Sequence, residues 1–343
     1  MQFTILGMGR TGHTMACYLL SKWQKVKVWD RNKAKLNNIK QNGIQVTGVL
    51  EGHFNPETYE NINDAIQGSK YILVHTVATG HKPVAELLRD KLEQGQVIIV
   101  LNCNWGAWEF SQVLESEVKE KNIVIGETNG IFLMSPWVKN NQCFLKTEKK
   151  HIGFATIPAV AAKKICHDLQ KVFPQFNALP NVLTTSLTAT NPVIHVPINL
   201  FNLSAIEKHQ EFLIYKDGAT LLSVSLVEKV DQERLEVLKK IGIEGESTQK
   251  ILETSWGQHF DNLLQLLKGV KSYQVAKGPD SFEHRHFTED IPFGLVPIQK
   301  LGQKYNVSTP TIDMLINTYT TILRVNYVAA APNLETLNIA DLL

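Results

Sequence analysis

The chain has 343 residues, of which 43% are apolar and 20% charged, a balance that is typical of globular proteins and excludes a wholly disordered chain. Its 35 lysines and arginines against 33 aspartates and glutamates give a net charge of +2, so we expect neither nucleic acid nor a membrane surface as a partner. The length favours two domains.

Strand and helix patterns alternate over the first half of the chain. Short apolar runs predict strands over residues 3–6, 26–29, 71–75, 97–102, 123–125 and 152–155, with helices that end near residue 20 and cover residues 84–92. Strands that alternate with helices form right-handed βαβ units. This half therefore predicts an α/β fold, a Rossmann-type doubly wound parallel sheet with helices on both faces.

The pattern changes in the Pro- and Asn-rich stretch FPQFNALPN, residues 173–181. Beyond it, apolar residues three and four apart predict helices over residues 227–240, 248–268 and 311–324. Two prolines disfavour a continuous helix through NPVIHVPINLFN, residues 191–202. We predict a dinucleotide-binding domain over residues 1–178 and a mostly α-helical substrate and catalytic domain over residues 179–343.

The segment GMGRTG matches G-x-G-x-x-G directly after the first predicted strand and at the start of the first predicted helix. Gly7 permits the tight turn, Gly9 lets the backbone approach a pyrophosphate, and Gly12 lets helix and strand pack closely. The helix N-terminus offers N–H groups to the phosphates. We predict a dinucleotide site here that includes Arg10 and Thr11; a glycine turn without a ligand is the alternative.

Asp30 follows the second predicted strand, where a carboxylate accepts hydrogen bonds from the ribose hydroxyls and repels a 2′-phosphate. This position favours NAD as the cofactor. NADP stays the alternative, because Arg31 and Lys33 follow and could pair with a 2′-phosphate. His81 could line the nicotinamide pocket, or it could be a polar residue at the start of a helix.

Two segments of the second half are dense in residues suited to catalysis. NPVIHVPINLFN places His195 between two prolines, and HRHFTEDIPFGLVP, residues 284–297, contains Arg285 and Asp290. By composition alone, a core histidine with satisfied hydrogen bonds and a charged surface loop would explain both segments.

The chain resembles the opine dehydrogenase family, typified by the octopine and nopaline dehydrogenases. The resemblance extends from the glycine motif to the helix after Pro310, and it is carried by GMGRTG, ATGHKPVAE, ETNG, NPVIHVP, VDQERL and HRHFTEDIPFGLVP followed by STPTID. It implies an NAD(P)H-dependent enzyme that joins an amino acid to a 2-oxo acid through an imine and forms an N-(carboxyalkyl) amino acid. It also implies that His195 is catalytic, that Asp290 is its acidic partner and that Arg285 binds a carboxylate.

The chemistry of these residue types agrees with the implied roles. An imidazole takes and gives protons near neutral pH, so His195 could deprotonate an ammonium and protonate a leaving hydroxyl. A carboxylate from Asp290 would fix the imidazole tautomer, and the guanidinium of Arg285 suits substrate carboxylates. Asn202 could hydrogen-bond substrate or make a structural helix contact. We predict no metal ligands.

Two other functions stay open. The first is a related, ketopantoate-reductase-like enzyme that reduces a 2-oxo acid or a preformed imine. The second is a non-catalytic dinucleotide-binding sensor, which requires either that His195 and Asp290 lie far apart or that the pocket is blocked. Departures from the family pattern, such as histidine at position 286 where tyrosine is common, leave the substrate pair open.

The sequence also bears on the location and assembly of the protein. No apolar run approaches the ~20 residues that span a bilayer. The N-terminus carries no signal-peptide pattern, and the four cysteines form no C-x-x-C pair. We expect a cytoplasmic protein with reduced thiols. The apolar faces of the helical domain would allow a homodimer.

Overall fold

The computed structural model describes residues 1–339 and 342, which divide into two compact units. One unit is Met1–Thr185 and the other begins at Ser186. Within the described residues, every β-strand belongs to the first unit. The strands are β1 (Gln2–Leu6), β2 (Lys25–Trp29), β3 (Ile44–Gly48), β4 (Gly52–Phe54), β5 (Glu57–Thr58), β6 (Tyr71–Val74), β7 (Val97–Val100), β8 (Val124–Thr128), β9 (Leu133–Met134), β10 (Val138–Lys139), β11 (Gln142–Leu145), β12 (Thr147–Glu148), β13 (Ile152–Ile157) and β14 (Phe176–Ala178).

The main sheet has the strand order β14–β13–β8–β7–β6–β1–β2–β5. All neighbours from β8 to β5 are parallel, which confirms the predicted Rossmann-type sheet. β6 and β7 are buried along their whole length, as strands covered on both faces must be. β13 instead runs antiparallel to β8. The chain between them contains short strands and no helix, and only a parallel neighbour needs a helical crossover.

The helices of the first unit pack on this sheet, and the second unit is helical, as predicted. The helices are α1 (Arg10–Ser21), α2 (Lys33–Asn42), α3 (Ile62–Ile66), α4 (His81–Leu88), α5 (Gly106–Val113), α6 (Glu115–Glu120), α7 (Ala162–Gln170), α8 (Val182–Leu187), α9 (Thr190–Leu200), α10 (Leu203–Glu207), α11 (Leu221–Lys240), α12 (Thr248–Trp256), α13 (Leu263–Gly269), α14 (Arg285–Thr288), α15 (Val296–Tyr305), α16 (Pro310–Leu323) and α17 (Tyr327–Ala330). Across the described chain, none of these helices has both the length and the apolar character that crossing a bilayer demands.

The prediction of a single helix over residues 248–268 is wrong. Two helices, α12 and α13, occupy this region, because Gly257 adopts a left-handed conformation (φ +61°) and ends α12. Asn262 then begins α13 by accepting a hydrogen bond from the backbone N–H of Gln265. Glycine and asparagine outweigh the helical spacing of the apolar residues here.

The expectation that prolines interrupt the segment around His195 is also wrong. α9 is continuous from Thr190 to Leu200 and includes both prolines. Pro192 lies in the first turn, where a backbone N–H has no partner within the helix. Pro197 removes one hydrogen bond from the helix interior. Burial of residues 192–199 offsets that loss.

An aromatic cluster anchors the start of the first unit. The ring of Phe173 contacts those of Phe3, Tyr18, Phe132 and Phe176, with centroids 5.1 to 6.0 Å apart. Each buried ring of this size contributes about 1.5–3 kcal/mol through its burial. Because the cluster includes residues of β1 and α1, it fixes both sides of the glycine-rich loop between them.

A buried ion pair connects helices of the second unit. The guanidinium of Arg234 lies 2.7 Å from the carboxylate of Asp231, one turn earlier on α11. Asp231 also accepts hydrogen bonds from the backbone N–H and the hydroxyl of Thr248 in α12. Arg234 donates to the carbonyl oxygens of Leu187 and Glu246. These residues of the VDQERL segment are therefore structural.

Replacing Arg234 with alanine should lower the free energy of unfolding by about 3–5 kcal/mol, because the buried carboxylate of Asp231 loses its cation. Urea unfolding of the two proteins measures the difference. Lys239→Ala, at an exposed position of the same helix, is the control and should change stability by about 0.5 kcal/mol at most. Equal effects of the two substitutions would contradict the structural role of the pair.

Candidate active site

The glycine-rich loop lies between β1 and α1, as predicted. Gly7 has φ +100°, and a Cβ there would lie 2.7 Å from the carbonyl oxygen of His75. A Cβ on Gly12 would collide with the carbonyl oxygen of Gly7, whereas the Cβ position of Gly9 faces open space. Gly9 is also the N-cap of α1. The loop therefore fits a pyrophosphate, which could approach the backbone at Gly9 and the N-terminus of α1.

Asp30 ties this loop to the end of β2. Its Oδ2 accepts hydrogen bonds from the backbone N–H of Met8 (2.7 Å) and from Nζ of Lys35 (3.0 Å), and its Oδ1 accepts from the N–H of Asn32 (2.8 Å). Burial alone would raise the pKa of Asp30, but these donors outweigh it and lower the pKa. Asp30 lies where ribose recognition was predicted, and most of its acceptor capacity is used by the protein. The next residue, Arg31, is exposed.

The hydroxyl of Thr11 lies 3.1 Å from Nδ1 of His75, directly beyond β6. Burial lowers the pKa of His75 to about 3, so this ring is neutral at physiological pH. Arg10 donates to the carbonyl oxygen of Pro136 at 3.1 Å. Both loop side chains therefore contact protein groups within the first unit.

His81 begins α4 and is 1% exposed. Its Nδ1 lies 3.7 Å from the carboxylate of Glu109, and its ring lies beside that of Phe110 in α5. Gly106 leaves room for the imidazole, since a Cβ there would lie 2.9 Å from Nδ1. The ring thus packs between α4 and α5.

His195 and Asp290 meet in the second unit, although 95 positions separate them. His195 lies in α9, and Asp290 directly precedes a π-helical turn, Ile291–Leu295. Gly294 permits this turn to approach α9 closely, since a Cβ at this position would collide with the ring of Pro192. Nδ1 of His195 lies 2.7 Å from Oδ2 of Asp290, with both residues buried. The separation of His195 and Asp290 that would favour the sensor alternative is therefore not present.

Tyr215 contacts the other nitrogen of the same imidazole, with its hydroxyl 2.9 Å from Nε2 of His195. An ionised Asp290 only accepts hydrogen bonds, so we assign the ring hydrogen to Nδ1, and Nε2 accepts from Tyr215. Burial, together with the charge of Asp290 and the neighbouring Tyr273, raises the pKa of Tyr215 well above its ordinary value. Tyr215 is therefore a neutral donor.

His286 covers one face of the His195 ring. The two rings are stacked, with centroids 3.8 Å apart and planes 18° from parallel. Nδ1 of His286 accepts a hydrogen bond from the amide of Asn199, one turn beyond His195 in α9. Burial, followed by the charges of His195, His284 and Arg285, lowers the pKa of His286 well below its ordinary value. A neutral ring therefore lies against the imidazole that would carry protons.

The ligand atoms of His195, His286 and Asp290 lie within 4.8 Å of one another, close enough to consider a metal ion. The two imidazole rings are nearly parallel, so their in-plane lone pairs run side by side instead of converging. Nδ1 of His195 is already paired with Asp290. This geometry suits proton transfer better than metal coordination.

Arg285 begins α14 and is partly buried. Burial alone would lower its pKa, but the carboxylates of Glu289 and Asp290 raise it, so the guanidinium stays charged. Within the described part of the chain, this guanidinium forms no hydrogen bond and no salt bridge, so its donors are available to a ligand. The amide of Asn202 instead donates to the carbonyl oxygens of Ile198 and Gly218.

Tyr215 and Asn199 are members of this cluster that the sequence analysis missed. Asn199 lies four residues beyond His195, a spacing that places both on one helix face. The prediction of an interrupted helix hid this relation. Tyr215 lies in an irregular segment, where no periodic pattern marks it.

Comparison with known families matches both units. Residues 178–323 match the family described as NAD/NADP octopine/nopaline dehydrogenase, alpha-helical domain. Residues 3–136 match the family described as Ketopantoate reductase PanE/ApbA. An opine dehydrogenase from Arthrobacter sp. (strain 1C) is 30% identical over 99% of this chain and 96% of its own length. A D-nopaline dehydrogenase from Agrobacterium vitis is 23% identical over 84% of this chain and 78% of its own.

Solved structures show the same fold. An octopine dehydrogenase in complex with NADH and L-arginine aligns with a TM-score of 0.78 at 15% identity, over 96% of this chain and 94% of its own. An NADP⁺-bound yersinopine dehydrogenase aligns with a TM-score of 0.72 at 14% identity, over 94% of this chain and 91% of its own.

Replacing Asp30 with asparagine should lower the free energy of unfolding at pH 7 by about 1–2 kcal/mol, because the charge-assisted bonds to the loop and to Lys35 weaken. The folded-state pKa of Asp30 is lowered, so its stabilising contribution is complete above the unfolded-state pKa of about 3.9. The contribution disappears as the pH falls through the folded-state pKa.

Urea unfolding of both proteins between pH 7 and pH 3 measures this difference. It should stay constant down to about pH 5 and shrink below about pH 4. Asp261→Asn, at an exposed position, is the control. A difference that grows toward acid pH would contradict the assignment.

Proposed function

Because the chain belongs to the opine dehydrogenase family, it is an NAD(P)-dependent oxidoreductase acting on CH–NH bonds, and we propose that His195, Asp290 and Arg285 carry its reaction. The reaction condenses the amino group of an amino acid with a 2-oxo acid through an imine and yields an N-(carboxyalkyl) amino acid. When bound, NAD(P)H supplies the hydride. The observation that carries the residue assignment is the buried 2.7 Å contact between His195 and Asp290.

His195 performs the proton transfers. In its neutral form it takes a proton from the substrate ammonium, and the free amine then attacks the carbonyl carbon of the 2-oxo acid. In its protonated form it returns a proton to the carbinolamine hydroxyl, which leaves as water. Asp290 holds the hydrogen on Nδ1 and stabilises the imidazolium.

Arg285 binds a substrate carboxylate. Both substrates carry one, and a planar guanidinium can bind a carboxylate through two parallel hydrogen bonds. The charge of Arg285 and its available donors support this role. We retain Asn202 as a second candidate, with its backbone contacts at the end of α9 as the competing explanation.

The first unit holds the cofactor. The loop Gly7, Gly9, Arg10, Thr11 and Gly12 would bind the pyrophosphate. Asp30 and Arg31 would bind the adenosine ribose, and His81 would lie near the nicotinamide. We propose NAD over NADP because the carboxylate of Asp30 would repel a 2′-phosphate; the nearby cations Arg31 and Lys35 oppose this preference.

We further assign dinucleotide binding to residues 1–178 and substrate chemistry to residues 179–343, of which 340, 341 and 343 lie outside the described residues. The two family matches, over 3–136 and 178–323, support this division. A cytoplasmic location is supported by four buried cysteines with no disulfide among the described residues. A homodimer is supported by apolar side chains exposed on the second unit, such as Leu221 and Leu222.

Replacing His195 with alanine should lower kcat by about 10²–10⁴-fold, because the acid–base group is lost. Dinucleotide affinity should stay unchanged, since the glycine-rich loop belongs to the other unit. Oxidation of NADH in the presence of an amino acid and a 2-oxo acid measures turnover, and fluorescence titration measures affinity. His209→Ala, at an exposed position of the same unit, should retain full turnover. Full turnover in the His195 variant would refute the assignment.

Replacing Arg285 with lysine should raise the KM of a carboxylate substrate by about 10–100-fold, because a point charge replaces a bidentate fork. The dissociation constant of the dinucleotide should not change. Saturation curves for the amino acid and for the 2-oxo acid, each measured separately, identify which carboxylate is bound. Unchanged KM values for both substrates would remove Arg285 from the site.

A further inference from the structure

Every hydrogen-bonding position of the His195 imidazole is occupied by a protein group. Nδ1 is paired with Asp290, and Nε2 accepts from the hydroxyl of Tyr215 at 2.9 Å. His286 covers one face of the ring. Because Nδ1 is committed to Asp290, a proton that enters or leaves His195 must do so at Nε2. The oxygen atom that is hydrogen-bonded to Nε2, and that would exchange this proton, belongs to the hydroxyl of Tyr215.

Packing against Tyr273 fixes the position of the Tyr215 ring. The two rings stack with centroids 4.3 Å apart. The hydroxyl of Tyr273 in turn accepts a hydrogen bond from the indole N–H of Trp256 at 3.1 Å. The backbone N–H of Ile214 donates to the carbonyl oxygen of Ala276, which ties the segment of Tyr215 to that of Tyr273. The hydroxyl is therefore positioned by packing on an ordered support.

We propose that the hydroxyl of Tyr215 relays protons between Nε2 of His195 and the reacting atoms of the substrates. The proposal rests on the proposed function, because it adds a residue to the proton path of that reaction. A hydroxyl suits this task, since it donates one hydrogen and accepts another at the same oxygen.

Each transfer moves two protons and leaves Tyr215 unchanged. In amine activation, the substrate ammonium gives a proton to the oxygen of Tyr215 while the phenolic proton moves to Nε2. In dehydration, Nε2 of the imidazolium gives its proton to the oxygen of Tyr215 while the phenolic proton moves to the carbinolamine oxygen. The C–O bond then breaks, the nitrogen lone pair forms the C=N bond, and water leaves.

The surroundings favour a concerted transfer over a free phenolate. Burial raises the pKa of Tyr215 well above its ordinary value, so a phenolate is costly. Asp290 adds a negative charge nearby, and Arg285 is the opposing cation. His286, on the face of His195, is neutral. Tyr215 therefore acts as a neutral hydroxyl that gains one proton as it loses another.

The central experiment replaces Tyr215 with phenylalanine, which removes the oxygen and keeps the ring that stacks on Tyr273. We expect kcat to fall by about 10²-fold, the lower end of acid–base contributions, with little change in the KM of either substrate. Tyr319→Phe is the matched control. It removes a buried hydroxyl that donates to the carbonyl oxygen of Val196 in α9, the helix of His195, and kcat should fall by far less than in Tyr215→Phe.

A second measurement needs no variant. Single-turnover rates of the unaltered enzyme in mixtures of H₂O and D₂O should show a curved dependence on deuterium fraction, because two protons move together. A linear dependence would overturn the relay, as would full kcat in Tyr215→Phe. If His195→Ala is inactive while Tyr215→Phe is fully active, only the relay fails. If His195→Ala is itself active, the proposed function fails.

Discussion

The buried contact between His195 and Asp290 is the constraint on which the second unit depends. A carboxylate that is 2% exposed needs close hydrogen-bonding partners, because an unpaired buried charge is strongly unfavourable. The helix that carries His195 and the turn that follows Asp290 must therefore stay in register to within a hydrogen bond. Gly294 allows the close approach, and Tyr319 anchors the helix through the carbonyl oxygen of Val196.

The same contact explains why neighbouring polar residues are arranged as they are. His286 lies neutral against His195, and Asn199 fixes its orientation through Nδ1. Tyr215 completes the hydrogen bonding at Nε2. A charged neighbour in any of these places would compete with Asp290 for the imidazole or disfavour its protonation. Among the residues that the structure describes, no protein group accepts a hydrogen bond from Arg285, the cation of the group, so its donors can serve an anionic ligand.

Much of this could be predicted from the chain itself. Alternating apolar runs predicted the parallel sheet, and the placement of three glycines between a strand and a helix predicted the loop, because both depend on local geometry. Pairing of His195 with Asp290 required the family resemblance, since no local rule joins residues that far apart. Tyr215 had no signal at all, because its position depends on tertiary packing in an irregular segment.

Local rules also failed where packing outweighed them. The prolines around His195 were expected to break a helix, yet burial of the surrounding residues holds α9 together. The VDQERL segment, part of the family resemblance, proved to contain a structural ion pair. A motif that resembles those of a family can therefore stabilise the fold of the second unit and need not take part in its chemistry. Asp30 likewise combines two roles, since its carboxylate suits a ribose and also accepts a hydrogen bond from the glycine-rich loop beside it.

The π-helical turn after Asp290 sets the direction of that side chain. The N–H of Leu295 donates to the carbonyl oxygen of Asp290, five residues earlier, so the turn holds one residue more than an α-helical turn would. An α-helix rotates by about 100° per residue. A chain one residue shorter here would wind Asp290 around to another side of the helix, away from the imidazole. The placement of Asp290 beside His195 is therefore determined by backbone winding. Insertions or deletions in this short stretch are far less tolerable than most substitutions.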